Sequence, residues 1–167
     1  MIPSVRTVAA IVVLAMIAAS PAVARTVRAG SVVIADPWTR PAPVGAMAVG
    51  YMGLMNAGTT PVVLVSATSP AARAVSLHQT TITDGVARMA ALPNGVQIPP
   101  GGQASFAPGG YHLMLEGLVK PLALGTSVPL TLQFSNGLKV RIGLNVQLQP
   151  GVAAAAGTMN AVLHSNH

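Results

Sequence analysis

Between Gly30 and Pro150, glycine and proline cut the chain into short apolar and β-branched runs, none of which carries the periodicity of an amphipathic helix. Proline fixes one backbone angle and removes a hydrogen-bond donor, and glycine supplies the positive angles that tight turns require, so these breaks read as turns. Short strands at regular spacing, separated by such turns, predict an all-β fold, an antiparallel sandwich or barrel of one domain.

The individual runs support that reading. Ser31-Val32-Val33-Ile34 leads into Asp36-Pro37-Trp38-Thr39-Arg40-Pro41, whose prolines predict an edge strand followed by a loop. Ala46 to Met55 is apolar on both alternating faces and predicts a buried strand, with Met47, Met52 and Met55 in the core. Val62 to Ser66 forms another run, and Ala74 to His78 with Thr81 to Ala91 reads as a hairpin around Asp84-Gly85. Pro93-Asn94-Gly95 and Pro99-Pro100-Gly101-Gly102 punctuate a short strand pair. Ala107-Pro108-Gly109-Gly110 then leads into Tyr111 to Leu115, and Asn136-Gly137 joins Val128 to Phe134 with Leu138 to Leu148 as a hairpin.

Residues 1–24 read as a secretory signal. Arg6 precedes an apolar run from Val8 to Ala19, and Ala22-Val23-Ala24 offers a small-x-small cleavage pattern, so the mature chain is expected to begin at Arg25. A membrane anchor is the alternative, but the run is short against the roughly 20 residues a span needs, and Pro21 follows it. Residues 25–149 are the expected folded domain, and residues 150–167 a flexible tail that holds Met159, His164 and His167.

Charged residues make up only 7% of the chain, against roughly 25% in ordinary soluble domains. Without Arg6, eight basic residues face Asp36, Asp84 and Glu116, leaving a charge of +5. The basic residues are scattered singly, with no cluster and no aromatic stacking surface, which argues against nucleic acid as a partner. Three carboxylates, no cysteine, no phosphate-binding glycine loop and no Gly-x-Ser-x-Gly elbow leave little for an enzyme, and none is expected.

Metal ligation is better supported. His112 and Met114 stand two positions apart and so project from one face of a strand, with Leu113 and Leu115 on the other. A two-residue Asp84-Gly85 turn would set residue 80 opposite residue 89 and make His78 and Met89 diagonal neighbours on one face. Two neutral imidazoles and two thioethers are soft to borderline donors, suited to Cu(I) and unsuited to calcium or magnesium. A chain without cysteine must build any soft-metal site from such groups. Taken singly, each of these residues is more often a core filler or a structural histidine than a ligand; only the set carries the reading.

The order His78, ten residues, Met89, a longer interval, then His112-Leu113-Met114 resembles the signature of the periplasmic copper chaperones called PCu(A)C. Trp38-Thr39-Arg40, Ala48-Val49-Gly50-Tyr51-Met52 with Asn56, Ser69-Pro70-Ala71, Pro108 through Leu115, Gly117-Leu118 and Pro121-Leu122 with Gly125 are similar to that family as well. The interval of 22 residues between Met89 and His112 is one longer than the usual pattern. A loop would absorb it, whereas a register slip would turn Met89 away from the site.

The resemblance implies a cupredoxin-like β-sandwich that binds Cu(I) through His78, Met89, His112 and Met114. It implies transfer by ligand exchange in the periplasm, toward the copper subunit of cytochrome c oxidase and beside a Sco-type thioredoxin-like protein. A C-terminal extension in such proteins binds a second copper, in the Cu(II) state, and Met159, His164 and His167 would serve here. A monomer is expected. The competing class is a protein-binding β-sandwich of the cell envelope that takes no metal and buries the His/Met set in its core.

Overall fold

The computed structural model describes residues 25–148. The expected signal segment and the tail with Met159, His164 and His167 lie outside the described residues.

Eleven strands follow one another in the chain, with no helix among the described residues: β1 (Thr26–Ala29), β2 (Val32–Thr39), β3 (Ala48–Asn56), β4 (Val62–Thr68), β5 (Ala72–Thr83), β6 (Val86–Ala91), β7 (Val96–Ile98), β8 (Gln103–Phe106), β9 (Tyr111–Leu118), β10 (Ser127–Phe134) and β11 (Lys139–Val146). They pair in the order β6-β5-β9-β8-β3-β2-β11-β10-β4-β7, with β1 on β2 and β9 also on β3. β4 packs on β5 and β7 on β8, although these strands are far apart in that order, so the sheet curls around a single core. The predicted all-β class holds. Pairing is antiparallel except where β11 meets β2 and where β8 meets β9, both over very short stretches.

Alternation decides what enters the core. On β3 Ala48, Gly50, Met52 and Leu54 face inward, while Val49, Tyr51, Gly53 and Met55 face out. Of the three methionines expected in the core, only Met52 is buried; Met47 and Met55 are exposed, because the strand covers one face with the barrel interior and leaves the other open. Asn56 is buried at the strand end and fully engaged: its amide nitrogen donates to the carbonyls of Thr60 (2.7 Å) and Ile98 (3.3 Å), and its oxygen accepts from the Gly58 amide (3.0 Å).

The strand β2 departs from expectation. It continues through Pro37 and lies between β3 and β11, not at an edge. A bulge makes this possible: Ala35 pairs with Gly53 and Trp38 with Tyr51, so Asp36 and Pro37 together oppose Met52. Asp36 takes φ of 46° there, and the proline is spared a ladder position. The extra residue also exchanges the faces of the strand, so Ile34 points into the core while Trp38 joins Tyr51 on the outer face, with ring centroids 4.8 Å apart.

Candidate metal centre

Three adjacent strands, β6, β5 and β9, carry the four residues singled out by sequence. In the β5–β6 hairpin, Asp84 and Gly85 have φ of 53° and 75°. Positive angles at both central residues are what a type I′ turn demands, and this turn matches the twist of the strands it joins. Thr83 therefore pairs with Val86, Thr80 with Met89 and His78 with Ala91. Met89 is the diagonal neighbour of His78 on one face, in the register the two-residue turn predicts.

Strand β9 closes the arrangement from the other side of β5. His112 lies directly opposite His78, and Met114 opposite Ser76, while β3 places Val49 beside Met114. Leu77 and Leu113, which alternate with these residues, are buried in the core, so the His/Met face is the outer one. The longer interval between Met89 and His112 thus leaves the face of Met89 unchanged.

The side chains meet. The rings of His78 and His112 are stacked with centroids 5.8 Å apart and planes 26° from parallel. His112 Nδ1 lies 3.0 Å from the Gly110 carbonyl, to which it can only donate. In the neutral ring this leaves a lone pair on Nε2, 3.3 Å from the Met89 sulfur, and a thioether has no proton to offer it. His78 Nδ1 is buried without any hydrogen-bond partner among the described residues. His78 Nε2 lies 3.0 Å from the Ser76 hydroxyl, which itself donates to Glu116 Oε1 at 2.6 Å. Met114 shares the face by register and is only 9% exposed, whereas Met89 is 57% exposed on the outermost strand.

In the neutral ring, the lone pair of His112 Nε2 and the Met89 sulfur thus face each other without a proton between them, an arrangement that a cation would relieve. Imidazole nitrogen and thioether sulfur are the donor types that soft, low-charge ions prefer. Among the described residues no three His, Cys, Asp or Glu side chains gather, so any metal held here depends on methionine. Ser76 and Glu116 were not singled out as site residues by sequence, and no local signal could have done so: they meet only through the pairing of β5 with β9.

A family model described as "Putative lipoprotein LpqE-like" matches residues 32–146. A protein of Leifsonia xyli subsp. xyli described as a "putative lipoprotein" is 36% identical over 110 residues, which is 66% of this chain and 66% of that protein. The match thus spans just under two thirds of that relative's length. Among solved structures, the copper-bound PCuAC domain from PmoF2 superposes with a TM-score of 0.61 at 26% identity, covering 74% of this chain and 97% of that domain. The solution structure of the Cu(I) form of DR1885 from Deinococcus radiodurans gives 0.54 at 32% identity, covering 66% of this chain and 76% of that one. The apo PCuAC domain from PmoF1, at 24% identity and a TM-score of 0.62, shares the fold. With the family model spanning most of the barrel from β2 to β11, the chain belongs to the LpqE-like family and carries a PCuAC domain of cupredoxin-like β-barrel architecture.

Proposed function

We propose that this protein is a copper chaperone that carries Cu(I) between His78, Met89, His112 and Met114. One observation carries the reading most of the way: the 3.3 Å approach of His112 Nε2 to the Met89 sulfur, beside the unpartnered and buried Nδ1 of His78. For a neutral His112 ring, bonding within the protein leaves the Nε2–sulfur contact without a proton, and a soft cation accounts for it. The copper-bound PmoF2 domain and the Cu(I) form of DR1885, both of the same fold, support it.

Four neutral ligands leave the bound ion its single positive charge, which favours Cu(I) over a divalent metal that more often takes thiolate, imidazole or carboxylate. Release then proceeds by ligand exchange. The Met89 thioether, exposed on the outermost strand, is the ligand an incoming donor displaces first, while His112 and Met114 hold from the buried strand β9. Copper is cargo here, and no bond of the protein is made or broken beyond those to the metal.

The secretory signal expected at residues 1–24 supports export and action in the periplasm, and oxidising surroundings there would suit a site without thiolates. The acceptor we propose is the copper subunit of cytochrome c oxidase, reached alone or beside a Sco-type thioredoxin-like protein, with the chaperone acting as a monomer. Met159, His164 and His167 are proposed as a second site for Cu(II) in the tail. The test is an anaerobic Cu(I) titration against a competing chelator, with wild type beside His112→Ala and Met114→Ala. Uptake of one equivalent by wild type and its loss in both variants is expected; equal uptake by the variants would remove the site assignment.

A further inference from the structure

The two histidines of the site are held in different ways, and the difference selects which nitrogen of each ring is free. A serine hydroxyl carries one proton. The proton of Ser76 goes to Glu116 Oε1 at 2.6 Å, so at the 3.0 Å contact with His78 Nε2 the serine oxygen accepts and the ring donates. A neutral imidazole with its proton on Nε2 has its lone pair on Nδ1, the atom that is buried and unpartnered. His112 is the converse: its proton points from Nδ1 to the Gly110 carbonyl, and its lone pair sits on Nε2 against the Met89 sulfur.

We propose that Ser76 and Glu116 are positioning residues for the metal site, fixing His78 as the Nε2–H tautomer so that it ligates copper through Nδ1, while His112 ligates through Nε2. This deepens the copper reading and rests on it. The relay is built by strand pairing. Ser76 stands across from Met114 and Ala74 across from Glu116, so Glu116 is the diagonal neighbour of Ser76 on the face that carries the ligands. Through Ser76 it connects a carboxylate to the ring of His78.

Such a connection does two things. A hydrogen bond to the far nitrogen orients a ligating imidazole and makes its near nitrogen a stronger donor. The carboxylate also supplies negative charge near an ion whose four direct ligands are neutral, without itself touching the metal and favouring a harder one. Glu116 is one of only three acidic residues in the chain, and it is the one whose side chain is tied to a residue of the site.

The test begins with the apo protein, labelled with nitrogen-15, in long-range proton–nitrogen correlation spectra of the imidazoles. The expected result is His78 protonated at Nε2 and His112 at Nδ1, each as one tautomer. Loading with Ag(I), a diamagnetic ion of the same charge and softness, should then give one-bond silver–nitrogen coupling at Nδ1 of His78 and Nε2 of His112. Ser76→Ala should leave His78 as a mixture of tautomers and weaken Cu(I) binding by about 10- to 100-fold, as loss of an outer partner does, and Ser76→Thr should restore both. His78 protonated at Nδ1, silver coupling at its Nε2, or a Ser76→Ala protein with unchanged tautomer and affinity would overturn the proposal. If Ser76→Ala does not fold, the wild-type spectra decide alone. Failure of the wild type to take up Ag(I) or Cu(I) would overturn the chaperone reading, and the apo spectrum would still decide the relay.

Discussion

Strands β9 and β6 each lend a methionine to the same face, and the two methionines sit in opposite surroundings. Met114 is 9% exposed, with Ser76 of β5 on one side and Val49 of β3 on the other. Met89 is 57% exposed on β6, which ends the sheet and is hydrogen-bonded along one edge only. All six residues of β6 are exposed, while β9 runs through the core on its inner face. A carrier has to hold its ion and also let it go, and in the proposed site the two strands would separate those demands, with β9 as the anchor and β6 as the point of release. Exposed segments with few packed contacts open locally at low free energy, so Met89, the ligand proposed to release first, lies where local opening costs least.

The contrast can be attacked from the anchoring side first. Replacing His112 with alanine removes both Nε2 and the ring stacked on His78, and Cu(I) affinity should fall by more than about 100-fold in a competition titration, beyond the range seen for losing an outer partner. Met114→Ala leaves a hole beside the core as well as a missing ligand. Its cost to the apo protein should approach about 2 kcal/mol, the lower end for burying an alanine in place of a long side chain, read from urea unfolding. Gly85→Ala strains the hairpin that sets Met89, since φ there is 75°; about 1 kcal/mol of stability should be lost, with weakened amide-exchange protection confined to β5 and β6. Met89→Ala should change apo stability by less than about 0.5 kcal/mol, as an exposed position does, yet speed copper release to a chelator in stopped-flow measurements. If Met89→Ala destabilised the apo protein as much as Met114→Ala, the two strands would not be divided in the way described.

What could be read from sequence follows the range of the interactions. The hairpin register was legible because a two-residue Asp84-Gly85 turn determines every pair up to His78 and Ala91 by local geometry. The shared face of His112 and Met114 needed only alternation. The pairing of His78 with His112 joins residues 34 apart, and nothing local states it; only the whole-motif resemblance brought these strands together beforehand. Ser76 and Glu116 escaped for the same reason, being 40 residues apart in the chain. Strand β2 departs from its sequence pattern for a different reason: Asp36-Pro37 carries the composition of a strand end, but a bulge lets an interior strand contain it and at the same time turns Trp38 outward. Met47 and Met55 are exposed against expectation because an apolar run on both faces does not reveal which face is covered.

The central claim is that two imidazoles and two thioethers hold one copper ion, with Met89 and Met114 both among them. X-ray absorption at the copper K-edge, on protein loaded anaerobically with one equivalent of Cu(I), tests it most directly. The account predicts an edge of Cu(I) form and a first shell of two nitrogen and two sulfur scatterers, falling to one sulfur in Met89→Ala and in Met114→Ala alike. A first shell of nitrogen and oxygen alone, or one that neither substitution alters, would contradict it.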